Sequence, residues 1–197
     1  MNIILGSSSP RRKYLLQHLF NTFTVMHPNV DEIPHHFEKP LEFVKRVSYD
    51  KLQDIRAQIL HNPSLIITCD TIVTIDNEIL GKPVDYAHAF NMLSKLSGRT
   101  HQVISAISLL YNNKDNYHEH NDYEITHVTF KKLHKNDITA YLSHIAYMDK
   151  AGAYAAQEFG HMIIEKIDGS LTNVIGFPLR CFFRMIADMD IIQKLFA

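Results

Sequence analysis

The chain holds only two cysteines in its 197 residues, Cys69 and Cys181, too few for a disulfide framework. Both sit among apolar neighbours and read as small buried hydrophobes, not nucleophiles. Neither charge is in surplus. Twenty Lys and Arg against 21 Asp and Glu leave a net −1, which excludes a global basic field for nucleic acid or an anionic membrane, so any phosphate recognition must be local. No run approaches the ~18 apolar residues of a membrane span, and Arg11, Arg12 and Lys13 interrupt the first apolar run, which therefore does not resemble a signal peptide. These absences predict a cytoplasmic protein. There is no internal repeat, low-complexity tract or long linker, and 46% hydrophobic content suffices for a substantial core, so a single domain over residues 1–197 is expected. Neither a G-x-x-x-x-G-K-[ST] loop nor a G-x-G-x-x-G turn occurs. The 13 histidines are scattered. The nearest pair, His118 and His120, flanks Glu119 in the polar stretch 112–122, which reads as a solvated hairpin tip without zinc-like ligand spacing.

What is present begins with the first dozen residues. A short apolar strand, Asn2-Ile3-Ile4-Leu5, runs through Gly6 into Ser7-Ser8-Ser9-Pro10-Arg11-Arg12 and then a helix whose Leu15, Leu16 and Leu19 share a face. Gly6 permits a tight turn, the serines offer hydroxyl donors and an N-cap, and Pro10 suits the first helical turn, where its missing N–H would be unpaired anyway. Unpaired N–H groups and the positive end of the helix dipole favour phosphate there, and two adjacent arginines supply planar donor forks. On its own the segment reads more readily as an ordinary capped helix with two surface arginines, since neither glycine-rich phosphate motif accompanies it. A second apolar run, Leu65-Ile66-Ile67-Thr68-Cys69, carries Asp70-Thr71 into Ile72-Val73-Thr74-Ile75, turns at Asp76-Asn77-Glu78 and reaches Leu80-Gly81-Lys82-Pro83. A carboxylate inside an apolar strand must be hydrogen-bonded, paired with a cation or bound to a metal. Asp70 capping a local turn through Thr71, with Lys82 solvated, is the alternative.

The spacing elsewhere predicts alternating strands and helices. Residues 23–26 read as a strand, and a loop with Asp31-Glu32 and Pro34 leads to Pro40 and a long helix patterned by Leu41, Val44, Val47, Ile55 and Ile59 and ended by Asn62-Pro63. Asp85 caps the next helix, which runs to about Leu96 before a Ser97-Gly98 turn. Residues 100–111 and 122–133, rich in β-branched and aromatic residues, read as an antiparallel hairpin. Asn136 or Asp137 caps a helix through Ile145, residues 162–167 form a strand, Asp168-Gly169 turns, and Pro178 opens a C-terminal helix. The mixture predicts an α/β fold with a twisted mixed sheet flanked by helices.

With these residues in view the chain resembles the Maf family of nucleoside triphosphate pyrophosphatases. Leu5-Gly6-Ser7-Ser8-Ser9-Pro10-Arg11-Arg12 is similar to the family's Ser-Pro-Arg-Arg opening, and Cys69-Asp70-Thr71 with Leu80-Gly81-Lys82-Pro83 to its A-D-T and G-K-P pair. Leu96-Ser97-Gly98-Arg99-Thr100-His101, Asp149-Lys150-Ala151-Gly152-Ala153-Tyr154 with Gln157, and Asn173-Val174-Ile175-Gly176-Phe177-Pro178-Leu179 follow in the family's order, so the resemblance covers nearly the whole chain. Cys69 stands where the family usually has Ala. Ala155-Ala156-Gln157-Glu158 stands where it has Gly-Ile-Gln-Gly, which adds side chains beside the glutamine and leaves the chemistry unchanged.

The resemblance implies an elongated sheet with two lobes and a central cleft, shared with inosine triphosphate pyrophosphatases. It further implies hydrolysis of dTTP and UTP to the nucleoside monophosphate and pyrophosphate with Mg²⁺ or Mn²⁺, and a homodimer as the family's habit. Asp70 would be the proton acceptor and a metal ligand, with Glu32, or Asp31 beside it, as the second ligand. Lys82 would be catalytic. Ser7, Ser8, Arg11, Arg12, Lys51, Thr71 and Gln157 would bind substrate, Gln157 because a carboxamide matches the O4 and N3–H edge shared by uracil and thymine. The alternatives are the sister subclass acting on methylated GTP, and a non-catalytic nucleotide-binding regulator of septum formation.

Overall fold

A computed structural model describes residues 1–59, 64–113 and 117–196. Seven strands form one mixed sheet: β1 (Asn2–Gly6), β2 (Thr24–Met26), β3 (Ser64–Ile75), β4 (Glu78–Leu80), β5 (Thr100–Asn112), β6 (Tyr117–Phe130) and β7 (Ile164–Asp168). Their order is β2-β1-β3-β5-β6-β7, with β4 paired antiparallel to β3. Strand β1 runs parallel to both β2 and β3, and β7 runs antiparallel to β6. The helices are α1 (Pro10–Gln17), α2 (Pro40–Gln58), α3 (Tyr86–Leu96), α4 (Lys135–His144), α5 (Leu171–Ile175), α6 (Leu179–Asp188) and α7 (Ile192–Phe196). The mixed α/β sheet read from the sequence is therefore present. The chain packs as two compact units, one of residues 1–70, 105–124 and 176–197, the other of residues 71–104 and 125–175.

In the first unit strand alternation feeds two cores. Ile3, Leu5, Leu65, Ile67, Cys69, Ile107 and Leu109 pack with Leu16 of α1 and Phe182, Met185 and Ile186 of α6. Ile4, Ile66 and Leu110 point the other way and meet Leu52 and Ile55 of α2. Burial on both faces is why β3 reads as a nearly unbroken apolar run. Gly6 ends β1 and owes its identity to a close approach, not to a turn: a Cβ there would lie 2.7 Å from Thr68 Cγ2 and 2.8 Å from Ile55 Cγ1. In the second unit Val73, Ile75, Val103, Val128 and Phe130 pack against Ala89, Leu93 and Leu96 of α3 and Ile138, Tyr141 and Leu142 of α4. Asp76 and Asn77 both take positive φ, 53° and 62°, giving the two-residue turn that brings Ile75 opposite Glu78.

Three further expectations change. Strand β6 begins at Tyr117, so His118 and His120 lie on a strand and not in a solvated tip, because pairing in the sheet outweighs their low β propensity. The N-cap of α4 is His134; Asp137 sits at the third helical position and accepts from the His134 N–H at 2.7 Å. The C-terminal helix breaks after Asp188, where Asp190 takes a φ of 53° before α7 begins. The helix stop expected at Asn62-Pro63 lies outside the described residues. Asp85 caps α3 as expected, accepting from His88 N–H at 2.7 Å.

His101, on β5, is buried between Phe130 and Tyr154, with Nε2 sharing a 2.8 Å hydrogen bond with the Tyr154 hydroxyl. Its Nδ1 is buried with no hydrogen-bond partner. Burial alone pushes its pKa from 6.5 down to about 4. As pH falls the unfolded chain therefore takes up this proton first. The stability His101 contributes as a neutral ring is complete above about pH 6.5 and is lost as pH drops towards about 4, an effect on the order of 3 kcal/mol. Urea titrations across that window should show wild type losing about this much more stability than His101→Gln, and parallel pH profiles would contradict the assignment.

Candidate active site

In the first unit two clusters of polar side chains form, one at the carboxyl end of β1 and the other around Asp70, midway along β3. The first is the loop joining β1 to α1. Ser9 is the N-cap of α1, its Oγ accepting from Arg12 N–H at 3.4 Å, and Pro10 fills the first turn. Arg12 is buried and cross-linked: Nε donates to the Gly176 carbonyl at 2.9 Å and Nη1 to Ser7 Oγ at 3.2 Å. Ser7 Oγ also accepts from Ser9 N–H at 3.2 Å. Two accepted bonds occupy both lone pairs of that hydroxyl and leave its proton as a donor. Ser8 is exposed, with its Oγ 3.0 Å from His27 Nδ1. Arg11 is half-buried on the first turn of α1.

The second cluster joins α2, β3 and the loop before α2. Lys51 on α2 is buried, and its ammonium donates to Asp70 Oδ1 at 2.8 Å and lies 2.6 Å from Glu32 Oε1. Asp70 is itself buried within β3, whereas the Glu32 side chain is 43% exposed on its loop. Of the adjacent Asp31 and Glu32, the structure brings Glu32 to Lys51. Two carboxylates thus converge on one cation and leave the cluster at −1. Among the described residues no group of three or more His, Cys, Asp or Glu is arranged to hold a metal. A two-carboxylate donor set fits Mg²⁺, which keeps several waters and takes its other oxygens from substrate phosphates.

In the second unit Thr71 follows Asp70 along β3 with its side chain on the opposite face of the strand. The β3–β4 hairpin delivers Gly81-Lys82-Pro83, and Lys82 is exposed. Gly81 is tied down by its carbonyl, which accepts from Gly152 N–H at 3.0 Å. Gly152 has φ +68°, and a Cβ there would sit 3.0 Å from Val73 Cγ2. Gln157 is exposed, its Nε2 3.5 Å from Glu158 Oε1. Lys150 received no role from the sequence, although a cation beside the small residues Ala151-Gly152-Ala153 was a visible signal. It is buried, donating to the Ala146 carbonyl at 2.5 Å and to Asp149 Oδ1 at 2.8 Å, with Glu158 Oε2 at 3.5 Å. The Cys181 thiol is raised to about 12, chiefly by burial, which removes it as a nucleophile at neutral pH.

Comparison with known proteins gives consistent names. The family model described as Maf-like protein matches residues 2–189. The dTTP/UTP pyrophosphatase of Clostridioides difficile is 42% identical over 179 residues, covering 91% of this chain and 90% of the relative. Its counterpart from Ruminiclostridium cellulolyticum is 40% identical over 190 residues, 96% of each chain. That of Leptospira interrogans is 37% identical over 182 residues, 92% of each. Among solved structures, a nucleoside-triphosphatase (dITP/XTP pyrophosphatase) from Mycobacterium abscessus covers 82% of this chain and 93% of its own at 12% identity and a TM-score of 0.39, a likeness too slight to assign a fold from.

Because Lys51 and Asp70 are both buried, breaking the pair strands a charge. Lys51→Met should cost about 3 kcal/mol of unfolding free energy. Lys51→Met combined with Asp70→Asn should be at least about 1 kcal/mol more stable than the sum of the single effects predicts. Guanidinium titrations of the four proteins complete the cycle, and strict additivity would show that the two groups do not depend on each other.

Proposed function

We propose that this chain, which belongs to the Maf-like protein family, is a nucleoside triphosphate pyrophosphatase that hydrolyses dTTP and UTP to the nucleoside monophosphate and pyrophosphate. The observation that carries the proposal is the Glu32–Lys51–Asp70 cluster, in which the buried Asp70 and the loop carboxylate of Glu32 converge on the buried ammonium of Lys51. The names of the relatives support the substrate class. No helix of the described residues is long and apolar enough to cross a membrane. The reading adds that the chain acts as one Maf-like domain, in the cytoplasm and without nucleic acid, with a homodimer only as the family's habit.

The reaction places water on the α-phosphorus, breaks the bond to the bridging oxygen between the α- and β-phosphates, and releases pyrophosphate. Asp70 takes the proton of the attacking water. Glu32 and Asp70 would hold Mg²⁺ or Mn²⁺, which when bound neutralises phosphate charge and lowers the pKa of coordinated water. Lys51 draws both carboxylates to one point. Arg12, braced by Ser7 and Gly176, and the hydroxyls of Ser7 and Ser8 donate to phosphate oxygens, where fixed donors stabilise developing charge without reorganising. Lys82 neutralises the departing pyrophosphate. Gln157 pairs with the O4 and N3–H edge of the base, and Arg11 and Thr71 contribute to substrate choice. A site built on paired hydrogen bonds rejects bases that leave its polar groups unmatched.

Two measurements test this reading. Asp70→Asn should keep the fold and lose at least ~10²-fold in kcat at saturating metal, as expected for removal of a general base; near-wild-type turnover would remove Asp70 from the chemistry. A kcat/KM series should place dTTP and UTP well ahead of CTP, ATP and methylated GTP, with Gln157→Glu narrowing the gap. Methylated GTP emerging as the best substrate would overturn the base assignment.

A further inference from the structure

Glu32 lies in an exposed loop, residues 27–39, with no regular secondary structure of its own, yet it meets Lys51 at 2.6 Å. Burial does not hold this loop: residues 31–37 are all exposed, Phe37 at 93%. Side-chain bonds from α2 hold it. Arg46 donates Nη2 to the carbonyl of Ile33, the residue directly after Glu32, at 3.0 Å. The same guanidinium grips Glu38 with both arms, Nε to Oε1 at 2.6 Å and Nη2 to Oε2 at 2.8 Å, and is steadied by Asp50 at 3.2 Å. Glu38 is nearly buried and in turn accepts from His35 N–H at 2.9 Å. On the other side of Glu32, Asn29 N–H donates to Asp54 at 3.0 Å. Arg46, Asp50 and Asp54 recur every four residues and so form one stripe along α2.

We propose that Arg46, locked to Glu38, is a positioning residue that sets Glu32 in place as a divalent-metal ligand. This rests on the metal reading of Glu32 above. Without the clamp the loop would have to be ordered anew each time metal binds, at the entropic cost of fixing its backbone. The bidentate geometry suits the task because it fixes direction as well as distance, which a lysine ammonium cannot do. Hydrogen bonding from Arg46 holds the Glu38 carboxyl down at about 2, so both halves of the clamp are charged throughout the neutral range. Nothing in the clamp touches the ammonium of Lys51, the partner Glu32 shares with Asp70, so its influence on the site runs through Glu32.

The test uses the full chain and free Mn²⁺, titrated by electron paramagnetic resonance without nucleotide, so that substrate identity plays no part. Arg46→Ala should weaken Mn²⁺ binding about tenfold, as loss of groups that orient a metal ligand does elsewhere. Arg46→Lys should fail to restore it, and Glu38→Gln, which spares the fold's largest contacts, should weaken it several-fold. In a Glu32→Gln background, itself weakened, neither Arg46→Ala nor Glu38→Gln should have any further effect. Equal losses in both backgrounds would make the clamp merely structural and overturn the proposal, as would an Arg46→Ala and a Glu38→Gln protein that bind Mn²⁺ normally. A Glu32→Gln protein with wild-type Mn²⁺ affinity would instead overturn the metal reading of Glu32 itself, and the positioning role with it.

Discussion

The ammonium of Lys51 between Asp70 and Glu32 is the interaction on which the rest of the first unit depends. Asp70 belongs to a strand buried along both faces, an environment that does not tolerate a bare carboxylate. The strand keeps it because α2 supplies a cation at 2.8 Å from within the same core layer that buries Leu52 and Ile55. Lys51 in turn is buried only because it has two acceptors. Removing Lys51 would leave the buried Asp70 carboxylate without its cation, whereas removing one carboxylate leaves the ammonium paired with the other.

That arrangement needs α2 close to the sheet, and the sequence secures it by small and polar contacts more than by bulk. Gly6 has no Cβ where one would collide with Thr68 and Ile55. Thr68 donates its hydroxyl to the Ser48 carbonyl at 2.8 Å, and Ser48 Oγ lies 2.9 Å from Ser108 Oγ, which also receives the Asn121 amide at 2.6 Å. Such a chain of bonds specifies one position of the helix along the strands, which apolar packing alone would leave less sharply defined. Lys51 lies three residues beyond Ser48, about one turn along the same helix, so whatever fixes Ser48 also fixes Lys51.

Much of this was legible in the sequence because it is local. The apolar run around Asp70, the Asp76-Asn77 turn, the Asp85 cap and the Pro10 and Pro40 helix starts each follow from neighbouring residues, and each appears in the structure. What escaped is set by tertiary partners. Gly6 looked like a turn residue because the crowding that requires glycine comes from Thr68 and Ile55, far away in sequence. The strand through His118 and His120 looked like a loop because its polar residues are held by pairing in the sheet. Arg12 was visible as a donor, but its brace, the Gly176 carbonyl, lies 164 residues on. Lys51 had no distinguishing mark beyond the family resemblance, since a lysine on an amphipathic helix is ordinarily solvated.

The two carboxylates of the cluster differ in a way that matches the separate roles proposed for them. Asp70 is carried by a strand with neighbours on both sides, so its position is set by folding and requires no further ordering when a ligand arrives. Glu32 is carried by a loop whose residues are exposed, so its position depends on a handful of polar bonds to α2 that water can compete for. A rigid carboxylate suits proton transfer, where the distance to the reacting atom controls the rate steeply. A carboxylate on a tethered loop suits a ligand that enters and leaves, because releasing it does not require the core to open. The charge of Lys51 couples these two kinds of support, so the exposed, replaceable half of the cluster is held to the register of the buried half.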